Sequence, residues 1–155
     1  MDATLDLTTR DMILRLVLAG IIGGLIGYER RIHHKAIGVA GFMLVAIGSA
    51  SYMLLATYLS VTDPAAISRA VQGLLQGIGF LGGAVIFKTG NDVRGIKTAA
   101  AIWITGAIGL AIGTWFWGLG IALGTATVVI LFIADHINAQ MEQARRDKAG
   151  DGGTV

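Results

Sequence analysis

The chain has 155 residues, of which 54% are hydrophobic and only 14% are charged, and its mean hydropathy is +0.70. Soluble chains carry about 25% charged residues, so this composition excludes a disordered protein, a coiled coil and a nucleic-acid-binding module. The net charge of +2 is too small for a phosphate-binding surface. Because there is no cysteine, disulfides and thiol nucleophiles are also excluded. The composition indicates an integral membrane protein.

Five apolar segments predict an all-α bundle of five transmembrane helices. A helix needs roughly 17 to 25 apolar residues to cross the hydrocarbon core of a bilayer. The predicted spans cover residues 12–28, 37–59, 71–87, 98–113 and 116–134. The last two come from a single uncharged run, which we divide at residues 113–118 because glycine and interfacial aromatic residues indicate a turn there.

The basic residues predict the orientation of this bundle. Five spans place the loops at 29–36 and 88–97 and the C-terminal tail on one side, and these segments hold nine of the twelve lysines and arginines. Basic residues concentrate on the cytoplasmic side. We therefore expect a short external N-terminus over residues 1–11, a transmembrane domain over 12–134, and a short cytoplasmic tail over 135–155 without a soluble C-terminal domain. A cleaved signal peptide is disfavoured because the leading segment is acidic and no A-x-A site follows the first span.

Glycines at helical spacing predict close helix packing. Residues 77–82 read GIGFLG and match the dinucleotide fingerprint, but that fingerprint requires a strand before the glycine turn, whereas these residues lie inside an apolar span. Small residues four positions apart let membrane helices approach closely. We therefore predict that Gly77, Gly79, Gly82 and Gly83 pack against another helix. Similar pairs at 20/24, 23/27, 109/113 and 120/124 indicate a tight bundle, and a homo-oligomer stays an open alternative.

Charged residues at the ends of the spans are the candidates for function, because charge near the membrane is costly and often functional. Glu29 is an acid on the side that needs only bases, so we expect it to have a specific partner, either Arg94 or Arg30. The alternative is that these residues only anchor the helices at the headgroups. Thr98 is placed to cap the fourth span. The remaining candidates are Asp63, Arg69 and Trp103.

The sequence offers no catalytic, cofactor or metal site. No nucleophile lies beside Asp135 and His136, and the adjacent His33 and His34 lie in a short loop without a third ligand. Magnesium prefers oxygen ligands in octahedral geometry, whereas no aspartate or glutamate lies between the helix ends. We therefore expect a protein that is not an enzyme, and conduction of magnesium along a path of carboxylates is disfavoured.

Several of these segments together resemble the MgtC/SapB family of bacterial inner-membrane proteins. They read GLIGYER over residues 24–30, LVAIGS over 44–49, Asp63-Pro64, GIGFLG over 77–82 and RGIKTAAAIW over 94–103. The resemblance runs from about Leu14 to Ala134. Two departures change the charge of the cytoplasmic face: Ala40-Gly41 stands where the family usually has Arg-Thr, and Lys97 stands where it tends to have threonine.

The resemblance implies a location in the bacterial inner membrane and a link to growth under magnesium limitation and survival inside macrophages. Some family members are thought to act on ATP synthase. We therefore expect a non-enzymatic regulator that lies in the lipid bilayer, binds another membrane protein and binds no nucleic acid. The alternative is a small transporter or channel for magnesium or another ion.

Overall fold

The described residues fold into five helices and one short hairpin. The computed structural model describes residues 9–32, 37–90 and 92–151, so His33 and His34 lie outside the described residues. The elements in chain order are α1 Thr9–Ile32, α2 Val39–Leu59, α3 Ala66–Ala84, β1 Phe87–Thr89, β2 Asp92–Arg94, α4 Ile96–Gly113 and α5 Trp117–Asp151. The two strands pair in antiparallel register, with Lys88 opposite Val93. The predicted all-α fold with five helices is confirmed.

Four helical segments are long and apolar enough to cross a membrane: Thr9–Ile32, Val39–Leu59, Ile96–Gly113 and Trp117–Met141. Helix α3 is less apolar because it carries Arg69, Gln72 and Gln76. Helix α3 nevertheless runs the length of the bundle, as its contacts show.

The contacts of α2 and α4 show that α3 runs from one end of the bundle to the other. Helix α2 begins beside the C-terminal end of α1, where Val39 faces Gly27, and its residue Ala50 faces Gly113 at the other end of the bundle. Helix α3 then returns to the first end, where Gly82 faces Ala99 near the start of α4. Its 19 residues cover about 28 Å. The five helices therefore alternate in direction.

The bounds of the predicted third span are wrong. The helix covers Ala66–Ala84 instead of 71–87, and Phe87 belongs to β1. The helix starts earlier because Asp63 organises the preceding turn, accepting hydrogen bonds from the Ala66 N–H to its carbonyl (3.0 Å) and from the Ala65 N–H to its carboxylate (3.1 Å). At the C-terminal end of α3 the chain enters the hairpin, which is followed by Gly95. The φ of Gly95 is 92°, a conformation that favours glycine, and α4 begins at the next residue.

Glycines bring α1, α2 and α4 into close contact. A Cβ added at Gly23 would lie 2.6 Å from the carbonyl oxygen of Phe42, and one at Gly113 would lie 2.6 Å from that of Ala50. Only glycine permits such an approach of two helix backbones. The tight packing predicted from the pairs 23/27 and 109/113 is thus confirmed at these positions.

The glycines of α3 behave differently. A Cβ at Gly77, Gly79 or Gly83 would meet no atom within 4 Å, whereas one at Gly82 would be in ordinary contact with Ala99, at 3.7 Å from its carbonyl oxygen. Within the described part of the chain, three of these four glycines therefore pack against no other helix, and their predicted packing role stays a prediction. The physical reason is that α3 turns a different face, with buried Ile78 and Gly82, toward the bundle.

Candidate functional site

Four charged side chains from three helices meet at one end of the bundle. We call Glu29 and Arg30 of α1, Lys97 of α4 and Asp135 of α5 the charge cluster. Arg30 donates from Nε to Glu29 Oε2 (2.5 Å) and from Nη2 to Glu29 Oε1 (2.8 Å), and Nη2 also donates to Asp135 Oδ2. Lys97 Nζ donates to Asp135 Oδ1 (2.6 Å). Asp135 therefore links α5 to both α1 and α4.

The charge cluster is buried and electrically neutral. Arg30 is fully buried, Glu29 and Asp135 are 7% and 8% exposed, and only the Lys97 side chain, at 43%, reaches the surface. Two carboxylates balance two cations, which offsets the cost of removing these charges from water. One arginine nitrogen, Nη1, is buried without a hydrogen-bond partner among the described residues. The geometry holds three helices together and leaves both carboxylates occupied by cations.

The structure brings together only some of the candidate residues at the ends of the predicted spans. Of the two partners expected for Glu29, Arg30 is the one it contacts. Arg94 instead bonds Asp92 within the exposed hairpin, at 3.2 Å, so the prediction of a Glu29–Arg94 pair is wrong. Thr98 is buried inside α4 and does not cap it, because the N-cap is Gly95 and no side chain bonds there. Glu29, Arg30 and Thr98 are thus internal, and Arg94 lies outside on the hairpin.

Sequence reasoning missed Lys97 and Asp135 as partners in the cluster. Asp135 lies 105 residues after Arg30 and 38 residues after Lys97, so no local spacing connects them. Two weak signals existed. Lys97 departs from the threonine that the family resemblance leads us to expect at its position, and Asp135 is an isolated acid at the end of the last apolar segment.

The other predicted residues have separate locations. Asp63 and Arg69 form an exposed ion pair at the turn before α3, where the aspartate also organises the turn. Trp103 is 53% exposed on α4, on the outer surface of the bundle. None of these three contacts the charge cluster in the described hydrogen bonds and ion pairs.

A second buried arginine fixes the opposite end of the bundle. Arg15, 6% exposed, donates from Nη1 to the carbonyls of Gly113 (3.1 Å) and Thr114 at the C-terminal end of α4. Its guanidinium also lies 4.6 Å from the ring centroid of Trp115. A cation at a helix C-terminus offsets the partial negative charge of the free carbonyls. Arg15 therefore joins α1 to α4 where the charge cluster does not reach.

An apolar groove runs between α1 and α5. It has a volume of about 750 Å³ and is lined on α1 by residues from Leu18 to Ile32 and on α5 by residues from Ile121 to Phe132. The α1 residues extend over 14 positions, which is about 21 Å of helix. Glu29 of the charge cluster also lines this groove. The groove thus connects the membrane-facing surface with the cluster.

The part of the chain that the structure describes contains no group of three or more His, Asp or Glu side chains placed to hold a metal ion.

Comparison with known proteins identifies the family of the chain. The model of the MgtC family matches residues 16–140. The chain belongs to the MgtC family. The match includes the charge cluster and both walls of the groove.

Several MgtC-family relatives are similar to the chain at the level of sequence. The protein MgtC of Brucella abortus strain 2308 is 38% identical over 118 residues, which are 75% of this chain and 48% of that protein. The Escherichia coli K12 protein that carries the name "Putative magnesium transporter YhiD" is 36% identical over 142 residues, 86% of this chain and 65% of its own. SrpB of Synechococcus elongatus is 39% identical over 123 residues, 72% and 67% of the two chains.

The chain thus spans about half the length of the MgtC relatives that it matches. No solved structure matches it significantly.

Proposed function

We propose that this MgtC-family protein is a non-enzymatic regulator of the bacterial inner membrane, which binds a transmembrane helix of another membrane protein in the groove between α1 and α5. The observation that carries the proposal is the groove itself, because it is apolar, lies between two membrane-crossing helices and includes Glu29 of the charge cluster.

The shape of the groove suits a helix better than a small solute. Its α1 wall extends over about 21 Å, and a helix with side chains is about 10 Å across. Leu25 on α1 and Val129 on α5 are 57% and 49% exposed, so both walls offer apolar surface to an occupant. Between membrane helices, association depends on packing and polar contacts instead of on the hydrophobic effect. Three residues with polar side chains line this groove, namely Tyr28, Glu29 and Thr125.

The charge cluster supports regulation over ion conduction. A magnesium ion would need oxygen ligands, but Arg30 and Lys97 already bond the carboxylate of Asp135, and Arg30 bonds that of Glu29. A helix bound beside Glu29 would instead act on the contact that joins α1 to α5. The membrane partner proposed from the family resemblance is ATP synthase, and the biological setting is adaptation to low magnesium or survival in a host.

The test fills the groove without changing the rest of the surface. Val129→Trp places a large side chain in the groove, whereas Ile130→Trp, its control, lies next to it on α5, is 64% exposed and does not line the groove. Both variants are measured for protein level, for growth under magnesium limitation, and for ATP-driven proton pumping by ATP synthase in inverted membrane vesicles.

We expect Val129→Trp to abolish the growth phenotype and the effect on proton pumping, and Ile130→Trp to retain both. Equal behaviour of the two variants at equal protein level would contradict the proposal. Magnesium flux into liposomes that contain only the purified protein would favour the transporter instead.

A further inference from the structure

Little of helix α3 is buried. Of its 19 residues only Ala66, Ile78 and Gly82 are buried, whereas ten of the 18 residues of α4 are. It packs on α2 and α4 through one face. The opposite face of a helix that crosses the bundle from end to end is left uncovered by the described residues.

The uncovered face carries both polar residues and glycines. Gln72, Gln76, Gly79 and Gly83 follow one another at intervals of four, three and four residues, which places them on one side of a helix. All four are exposed, and they lie about 100° to 160° around the helix from Ile78, at 100° per residue. We call these four residues the outer stripe of α3.

The two glutamines make a lipid-covered outer stripe unfavourable. Neither amide has a side-chain hydrogen bond among the described residues. Hydrocarbon offers no partner to an amide, so an unpaired one at membrane depth is costly. Glutamine side chains in membrane helices typically bond across to a neighbouring helix, and small residues permit the close approach that this requires. The outer stripe therefore has residues typical of a helix–helix contact, but no described helix packs against it.

We propose that the outer stripe of α3 binds the same stripe of a second copy of this chain, forming a two-fold symmetric dimer. Two copies inserted in the same orientation are related by an axis along the membrane normal, so identical residues meet at the same depth. A glutamine amide both donates and accepts hydrogen bonds, so Gln72 and Gln76 each pair with their own copies. Gly79 and Gly83 extend the contact by letting the two backbones approach.

This dimer interface is separate from the groove of the proposed function. Helix α3 contacts α2 and α4, whereas α1 and α5 form the groove. A dimer through α3 therefore leaves both grooves open to a partner. The inference does not depend on partner binding, and each of the two proposals can fail alone.

The absence of cysteine in the chain allows a direct test. Gly83→Cys introduces a single thiol into the outer stripe of the full-length protein. The control, Leu81→Cys, places a thiol about 160° around the helix from Gly83, at a position that is also exposed, at 45%. Native membranes of each variant are treated with copper phenanthroline, and the fraction of disulfide-linked dimer is measured on non-reducing gels.

We expect at least a five-fold higher dimer fraction for Gly83→Cys than for Leu81→Cys. Adding Gln72→Leu and Gln76→Leu to Gly83→Cys should reduce the dimer fraction to the level of the control, while leucine keeps the helix compatible with lipid and the protein level unchanged. Adding Val129→Trp should leave the dimer fraction unchanged, because that residue lies in the groove.

Equal dimer fractions at the two cysteine positions would overturn the proposal. So would a cross-link that survives the loss of both amides, or a Gly83→Cys product that contains a different protein in place of a second copy. Failure of the proposed partner binding would show itself separately, in the growth and proton-pumping assays of the Val129→Trp variant.

Discussion

Replacing Asp135 by asparagine should destabilise the bundle strongly, because it removes one charge from a buried and neutral cluster. Asparagine keeps the size of the side chain and one carbonyl oxygen, but the net charge of the cluster rises from zero to +1. Arg30 is fully buried and loses one of its two carboxylate partners, while Lys97 loses the only carboxylate with which it forms an ion pair among the described residues.

The expected loss follows from the burial of the partners. Breaking a buried ion pair by removing one member costs roughly 3 to 5 kcal/mol. Glu29 still bonds Arg30, and the half-exposed Lys97 can turn toward water. We therefore expect Asp135→Asn to lower the free energy of unfolding by about 3 kcal/mol, at the lower end of that range.

Unfolding by sodium dodecyl sulfate in dodecylmaltoside micelles, followed by tryptophan fluorescence and far-ultraviolet circular dichroism, measures this loss. The matched control is Asp92→Asn, which breaks the exposed Asp92–Arg94 pair and should cost below about 1 kcal/mol. Adding Lys97→Met to Asp135→Asn returns the cluster to neutrality and should recover part of the loss. The reasoning is refuted if Asp135→Asn and Asp92→Asn have the same free energy of unfolding.

Three further predictions test other parts of the structure. Gly23→Leu should prevent stable assembly of the bundle, because even a Cβ would lie 2.6 Å from the Phe42 carbonyl oxygen. Its control, Gly77→Leu, should leave thermal stability in detergent unchanged, because a Cβ there would meet no atom within 4 Å. Equal melting temperatures for the two variants would contradict this packing. Arg15→Met should lower the free energy of unfolding by about 2 kcal/mol, since the carbonyls at the end of α4 lose a charged donor, and an unchanged value in the same dodecyl sulfate titration would show that this end is held in another way. Arg94→Lys should retain growth under magnesium limitation, because its ion pair with Asp92 is exposed; loss of growth at normal protein level would assign Arg94 a role beyond the hairpin.

The apolar segments predicted the helices well because length and hydropathy are local properties of the chain. Four of the five predicted spans correspond to α1, α2, α4 and α5 with shifts at their ends. The third corresponds to α3 but was predicted to end too late, because Phe87 continues the apolar run but pairs with Arg94 across a hairpin. Backbone pairing over this short distance depends on the turn at Gly90, with a φ of 62°, and hydropathy carries no signal for such a turn.

The charge cluster was only half predictable, because part of it is set by contacts between distant segments. Glu29 and Arg30 stood out as charges at a helix end, and their contact involves neighbours in sequence. Asp135 joins them only once α5 has packed against α1, and a single sequence does not show which face of a glycine-rich helix is turned inward. The same limit explains why Gly23 and Gly77 gave the same prediction but have different environments.

Photo-cross-linking in the membrane tests the central claim most directly, namely that the groove between α1 and α5 binds a helix of another membrane protein. Benzoylphenylalanine is introduced at Val129, in the groove, or at Ile130, beside it, and cells limited for magnesium are irradiated. The account predicts a cross-link from position 129 to a transmembrane segment of another protein, identified by mass spectrometry, and none from position 130. Cross-links of the same kind from both positions, or cross-links from position 129 to lipid alone, would contradict it.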